Sequence, residues 1–332
     1  MNQTQLNDNL LSLLSLLAGN DFHSGDKLAS VLKVSRAAVS KRVAKLNELG
    51  IEVHSVKGKG YQLSPLIDLY DVEQITAALS NRFHITHTTQ TASTNDDAKK
   101  LLADNNDNTH WHLVLTEQQN AGRGRRGRSW VSSFAQNLAI SLGLSLDIPV
   151  SQLSGLSIAV GLSLAKSLNE LGYPAQLKWP NDIYLNGEKL AGILLELEGA
   201  FDANCNVIVG IGINVNMPAN NQDAKAQIEQ AWTSLYQYSG KSINRSQLLI
   251  TLIERLAKDL EHFIKYGLVG QEKTWQNYDR FYNQPIQLLM PNKTICGVGK
   301  GINQEGALLL QTEQGLETFI GGEISVRGQQ SE

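Results

Sequence analysis

Arg123, Arg125, Arg126 and Arg128 crowd into six residues, with Gly122, Gly124 and Gly127 beside and between them, in the stretch EQQNAGRGRRGRSW at 117–130. Four like charges repel and the glycines weaken both helix and strand, so this segment stabilises no regular element by itself. It reads as a loop, and its flanks say where it hangs. WHLVLT at 111–116 and NLAISLGL at 137–144 are apolar enough to be buried strands. A low-complexity nucleic-acid patch lacks such neighbours. The loop therefore belongs to a folded core, where flexible backbone N–H groups and guanidinium forks can converge on one anion, phosphate above all.

The chain around it has 332 residues, enough for two or three domains. Its formal net charge of −3 hides an asymmetry. Residues 1–64 hold eight basic side chains against five acidic ones, a net +3, which leaves −6 for the remainder. A basic head precedes an acidic body. Only Cys205 and Cys296 are present, far apart, and the seven histidines show no metal spacing, so a disulfide framework and a zinc site are both disfavoured. The apolar run LLSLLSLLAG at 10–19 follows nine residues without Lys or Arg, which reads as an amphipathic helix rather than a secretion signal. No run reaches the roughly 18 apolar residues a bilayer needs, so the expectation is a cytoplasmic protein without membrane contact.

The head parses as three helices and a hairpin. Leucines 6, 10, 13, 14 and 17 share one face of a first helix ending at Gly19. Ser24 caps a second helix carrying Leu28 and Leu32. The third, SRAAVSKRVAKLNELG, begins at Ser35, buries Val39, Val43 and Leu46, and stops at Gly50. IEVHS and YQLS then flank VKGKG as a hairpin. This order is a winged helix-turn-helix, with Ser35, Arg36, Ser40, Lys41, Arg42 and Lys45 on the helix that enters a major groove and Lys57 and Lys59 at the wing tip, in reach of backbone phosphate. A solvated face on a small helical module is the bland alternative; the specific order of elements favours DNA.

Beyond Ser64-Pro65 the spacing predicts a helix over 71–81, strands over 111–116 and 137–146, a helix over 151–171, a hairpin over 183–197, a strand over 206–213 and a helix over 245–266. Asn186-Gly187 between apolar runs marks the hairpin turn. From about Gln284, short apolar runs separated by Gly and Asn read as a small antiparallel barrel. Two nucleotide signatures fail on context. GRGRRG fits G-x-G-x-x-G, with Asp147 about 20 residues on, but strand-like sequence follows where a helix is required. GKS at 240–242 lacks the P-loop glycine, since Leu235 stands there.

Together STN at 93–95, EQQNAGRGRRGRSW, KWPNDIYL at 178–185, KLAGILLE at 189–196 and GIGINVN at 210–216 resemble the bacterial family of bifunctional biotin protein ligases that also repress the biotin operon. SRAAVSK and KGKGY fit its repressor half, and GGEISVR at 321–327 its tail. The resemblance implies an α+β chain: a winged helix-turn-helix over 1–64, a mixed-sheet catalytic domain of the biotin/lipoate ligase type over 65–270, and an SH3-like barrel over 271–332. It also implies biotin and ATP as substrates with Mg²⁺, biotinyl-5′-adenylate as intermediate, the carrier domain of acetyl-CoA carboxylase as acceptor, and operator DNA bound by an adenylate-loaded homodimer.

The residues can be read against that chemistry. A carboxylate approaching a triphosphate is repelled by about 1 kcal/mol per unit charge pair at 4 Å in water and about 4 at an effective dielectric of 20, so a closed site needs cations. Arg125, Arg126 and Arg128 supply them, and Lys189 is a further point charge; Lys189, Arg125 and Arg126 are the expected catalytic groups. By resemblance, Ser93, Thr94, Asn95, Gln119, Gly122, Arg123, Gly124, Arg125, Lys189 and Gly192 line the biotin site. Helix capping is the simpler role for the STN triplet, and Gln118 and Asn120 leave open which amide faces the ureido ring. Trp130 resembles the adenine-packing aromatic, though a core tryptophan explains it equally well. Asn181, Asp182 and Asn214 are polar partners for nucleotide or Mg²⁺; Glu323 and Arg327 are tail residues whose reach the sequence leaves open. A biotin-sensing repressor without ligase activity and a lipoate-type ligase are the rival readings.

Overall fold

The computed structural model describes residues 6–18, 21–64, 66–104, 110–199, 205–221, 226–321 and 324–328. At the amino end, α1 (Asp8–Leu17), α2 (Gly25–Leu32) and α3 (Arg36–Glu48) are each capped by a side chain: Asn7, Ser24 and Ser35 accept from the backbone N–H three residues on. Leu10, Leu13, Leu14, Leu17, Val39, Val43 and Leu46 are buried, so the predicted apolar faces form one small core. Gly19, the expected stop of the first helix, lies outside the described residues. β1 (Val53–Val56) and β2 (Gly60–Leu63) make the wing.

The central domain is a seven-stranded mixed sheet. Its strands are β3 (Phe83–Thr91), β4 (Trp111–Gln119), β5 (Asn137–Leu146), β6 (Ala175–Lys178), β7 (Asp182–Leu185), β8 (Glu188–Gly199) and β9 (Cys205–Asn214), in the order β3-β4-β5-β9-β8-β7-β6. Within it only the β3–β4 pair is parallel. Alternate residues of β4 serve opposite faces, as a strand's two-residue period requires. Val114 packs with Ala98 of α5 (Thr94–Asp104) and Ile208, while Leu113 and Leu115 join the larger core under α6 (Leu156–Glu170). α4 (Val72–Leu79), α7 (Leu235–Ser239) and α8 (Arg245–Tyr266) complete that side.

The helix predicted over 151–171 begins late. Gly155 sits at φ +82 and separates a 3₁₀ turn at 150–153 from α6. α9 (Glu272–Tyr278) leads into a five-stranded antiparallel sheet: β10 (Pro285–Leu289), β11 (Thr294–Ile302), β12 (Leu308–Thr312), β13 (Gly315–Phe319) and β14 (Ser325–Gly328), ordered β13-β12-β11-β10-β14. Its buried residues Ile286, Leu288, Leu308, Leu310 and Val326 are continuous with the central core, so the small sheet is docked on the catalytic body. Among the described residues no helix is long and apolar enough to cross a membrane.

Candidate functional site

The arginine loop spans two strands, β4 and β5, and closes on itself before it reaches the second. Gly124 N–H donates to Arg128 O at 2.7 Å, and Arg123 pairs with Ser129 as an isolated bridge. A single 3₁₀ turn at Arg125–Gly127 forms the tip, with Arg126 at φ 61 and Gly127 at φ 70. Glycine tolerates such left-handed angles and arginine resists them, so Gly127 shares the turn at lower cost.

Below the loop lies a cavity of about 160 Å³. Its wall is assembled from the segments the sequence singled out: Ser93, Thr94, Asn95, Gln119, Arg123, Gly124, Arg125, Arg126, Arg128, Trp130, Asn181, Asp182, Lys189, Gly192 and Asn214 all line it. Gly122 does not. It is buried behind the wall, where a Cβ would meet Trp130 O at 2.7 Å and Gln119 Nε2 at 3.0 Å. Of the three adjacent amides only Gln119 faces the cavity; Gln118 bonds to Gln90 and Ser132 O. Glu323 lies outside the described residues, while its neighbours Ile324, Ser325 and Val326 reach the cavity from the C-terminal sheet.

The two ends of the cavity differ in charge. At one end the STN triplet forms a neutral, prebonded floor. Thr94 donates to Gln119 Oε1 twice, from its backbone N–H at 2.8 Å and its hydroxyl at 3.0 Å. The buried Ser141 hydroxyl stands 2.6 Å from Asn95 Oδ1 and 2.7 Å from Thr94 Oγ1. Arg123 belongs to this end, and its charge is spent. It makes a bidentate pair with Asp96 at 2.7 Å and approaches Glu196 at 3.2 Å. The Asp96 carboxyl is held below the usual range by that hydrogen-bonded pair, and the Arg123 guanidinium is pushed higher still.

Cations crowd the opposite end. Arg125 donates to Asn181 Oδ1 at 3.0 Å, while Asn181 Nδ2 donates to Ile193 O at 2.8 Å, which ties the loop to the β7–β8 hairpin. Arg126 donates to Ser325 of β14 at 3.2 Å. Lys189 Nζ rests 2.7 Å from Asp182 Oδ1, both mostly buried. Sequence reasoning passed over Lys178, which lines the same wall and donates to the Tyr184 hydroxyl at 3.1 Å. Burial lowers its pKa, and the positive charges of Arg327, Arg280 and Arg128 add to that while Asp182 opposes it. Burial likewise lowers Arg125, with Arg126 and Arg128 contributing. A lysine between Leu177 and Trp179, both buried, was the available signal. Among the described residues, five cations at this end therefore meet one lining carboxylate, an arrangement that favours a polyanion.

Trp130 closes the middle. Its ring lies over Gly212, where a Cβ would come within 2.4 Å of Cε2, and its indole N–H is buried without a hydrogen-bond partner among the described residues. No group of three or more potential ligands able to hold a metal occurs among the described residues.

The residues expected to face DNA divide as well. Arg36, Ser40 and Lys41 are exposed on α3, Arg36 with its guanidinium 3.6 Å from Asp26, and Lys57 and Lys59 are exposed at the wing. Ser35 is occupied as the cap, Arg42 donates to Asn9 Oδ1 at 2.9 Å, and Lys45 pairs with Glu48.

Three families match consecutive parts of the chain: an HTH domain over residues 9–62, the biotin/lipoate A/B protein ligase family over 86–214, and the biotin protein ligase C-terminal domain over 281–327. The bifunctional ligase/repressor BirA of Escherichia coli is 36% identical over 319 residues, covering 96% of this chain and 97% of that one. Its Bacillus subtilis counterpart is 32% identical over 328 residues, with 98% and 99% covered. Among solved structures, the biotin protein ligase from Aquifex aeolicus in complex with biotin and ATP aligns with a TM-score of 0.61 at 28% identity, covering 74% of this chain and 99% of that one.

Proposed function

The chain belongs to the family of bifunctional biotin ligase/repressors, and from that membership we propose how its own residues divide the work. It is a biotin protein ligase that activates biotin with ATP to biotinyl-5′-AMP, releasing pyrophosphate, and passes the biotinyl group to a carrier lysine; it is also a DNA-binding repressor. The observation that carries the reading at residue level is the cavity's charge gradient, neutral at Ser93, Thr94, Asn95 and Gln119, cationic at Arg125, Arg126, Arg128, Lys178 and Lys189. Biotin's ureido ring is neutral and flat, so the first end suits it. Gln119 Oε1 already accepts from Thr94, which leaves its Nε2 to donate to the ureido carbonyl. Gly124 and Gly192 give the ligand close access to backbone.

The carboxylate tail then runs toward Lys189, whose three donors include one directed at Asp182. Arg125, Arg126 and Arg128 neutralise the triphosphate, lowering the charge repulsion that otherwise opposes attack at the α-phosphate. Trp130 offers its face to adenine, with Asn181 and Asn214 as polar neighbours. The adenylate is a mixed anhydride, so transfer needs no protein nucleophile; it needs protection from water until the acceptor amine arrives. A loop pinned at Arg123 and held over the cavity by the Arg125–Asn181 and Arg126–Ser325 hydrogen bonds provides that cover. Mg²⁺, when bound, supplies further charge neutralisation on the phosphates. With one lining carboxylate, Asp182, the described residues fit an ion carried mainly by ATP and water.

The finer assignments are ours too. Boundaries fall near 64/65 and 270/271, after the wing and before α9. The acceptor is the biotin carboxyl carrier domain of acetyl-CoA carboxylase, the operator is that of biotin synthesis genes, and the protein works in the cytoplasm. Adenylate-loaded chains dimerise through β8, whose residues beyond Gly192 extend past the β7 register and expose Leu197. Sedimentation with and without biotin plus ATP checks this, and unchanged association refutes it. For the ligase itself, labelled biotin, ATP and a carrier domain should yield labelled carrier. Biotin binding without pyrophosphate release would leave only a sensor.

A further inference from the structure

Resting on the biotin-site reading above, we propose that Glu196 is a positioning residue that sets the orientation of the Asn95 amide at the ureido end of the cavity. Glu196 lies on β8, one repeat of the pleat past the cavity-lining Leu194 and two past Gly192, and is not itself in the wall. Its Oε2 accepts from Asn95 Nδ2 at 2.8 Å, and the same carboxylate meets Arg123 Nη2 at 3.2 and 3.4 Å.

Asn95 is buried, 4% exposed, so its amide has little freedom except a half-turn that exchanges oxygen and nitrogen. On one side it faces the Ser141 hydroxyl at 2.6 Å. Ser141 has one proton for two neighbours, Asn95 Oδ1 and Thr94 Oγ1, and the Thr94 proton goes to Gln119, so Ser141 alone does not hold the amide oxygen on its side. A carboxylate only accepts, and it repels an amide oxygen. Glu196 therefore decides that Nδ2 points its way and Oδ1 lies against β9, where Gly210 leaves room: a Cβ there would stand 2.4 Å from Oδ1. With Oδ1 and one N–H committed, the second N–H of Asn95 is the polar group left for ligand. Arg123 keeps its bidentate Asp96 partner without Glu196, so the loop stays anchored when Glu196 changes.

The decisive variant is isosteric. Glu196→Gln keeps the volume and the half-exposed position but presents a donor and an acceptor, so it no longer fixes the sign of the amide. Pyrophosphate exchange is measured first on the parent; a parent without it overturns the functional reading and not this one. With an active parent, Glu196→Gln and Glu196→Ala should each raise the biotin KM and the biotin Kd from titration calorimetry by about tenfold or more, the scale of one charge-assisted hydrogen bond. The ATP KM should stay within about twofold, as expected when the altered side chain shares no partner with the nucleotide end. Glu198→Gln, two residues along the strand and paired with Lys99, should leave both unchanged. Should Glu196→Ala fail to fold, Glu196→Gln decides. Biotin affinity at parental level in the Gln variant, or equal loss for biotin and ATP, overturns the assignment.

Discussion

Gly212 shows how one missing methyl shapes the site. Its would-be Cβ falls 2.4, 2.6 and 2.9 Å from three atoms of the Trp130 indole, closer than any contact that relaxes cheaply. Gly212→Ala should displace the ring and weaken ATP use by about tenfold, following the roughly 1–3 kcal/mol of overpacking, with little change in biotin affinity; steady-state kinetics in each substrate and indole fluorescence check this. Asp279 makes a different prediction. Burial pushes its carboxyl from 3.8 up to about 6, against hydrogen bonds donated by Phe281 N–H and the Trp275 indole. Because the folded pKa is raised, the folded state favours the protonated acid. The resulting stability is complete below the unfolded value near 4 and is lost as pH rises through about 6. Asp279→Asn lacks this dependence, so its stability relative to the parent should improve by up to about 3 kcal/mol between pH 4 and pH 7.5, at about 1.4 kcal/mol per unit. Denaturant midpoints at the two pH values measure it, and a constant difference refutes it. Lys189 is the residue on which chemistry should depend most: Lys189→Ala leaves Asp182 without its 2.7 Å partner and should lower carrier labelling by about 100-fold or more in a still folded protein.

The elements differ in how plainly the sequence announced them. α3 was legible because Ser35, the Val39/Val43/Leu46 stripe and Gly50 mark its start, face and end. The cap has its own consequence: Ser35→Ala should destabilise the head by about 1 kcal/mol and weaken operator binding, read by denaturation and by anisotropy of labelled DNA. β5, β9 and α8 were recovered within a residue at each end, since long apolar or amphipathic runs leave little choice. β3 escaped notice. FHITHTTQT is polar at nearly every position, and its strand state comes from pairing with β4 rather than from a buried face. β6 and β14 have four residues each, too short for a period to show, and α7 and α9 are single or double turns held by tertiary packing. The arginine loop was legible as a site for the opposite reason, because nothing in a fold explains it. Its charged surroundings were not: the counter-charges Asp96 and Glu196 meet Arg123 from 27 and 73 residues away, and the further cation Lys178 is brought near Arg128 only by the fold.

At the scale of the molecule, one buried ion pair joins parts that are remote in sequence. Arg245 is fully buried, its guanidinium 3.9 Å from the centre of the Tyr70 ring, donating to Glu117 Oε2 at 2.6 Å, to Asn137 O at 2.9 Å and to Asp68 O. Burial alone would raise the Glu117 carboxyl, yet Arg245, with bonds from His87 and Tyr70 N–H, holds it below the usual range. Arg245→Ala strands that carboxylate and should cost about 3–5 kcal/mol in global unfolding. The same junction binds the head to the body: Phe134 and Ala135, which follow the arginine loop, are part of the winged-helix core, and Asp68 N–H donates to Ala135 O. At the far side, main chain of the catalytic body and main chain of the C-terminal domain come close together at one point of their shared core. A Cβ on Gly306 would stand 2.8 Å from the Cα of Gly155, while Ser154 and Trp179 bond to the carbonyls of Glu305 and Gly306. Main chain packed this closely, and pinned by two hydrogen bonds, leaves little room for sliding or tilting there, so Ser325 and its strand act as masonry of the cavity's cationic end, and whatever opens to admit a substrate has to be found elsewhere along its rim.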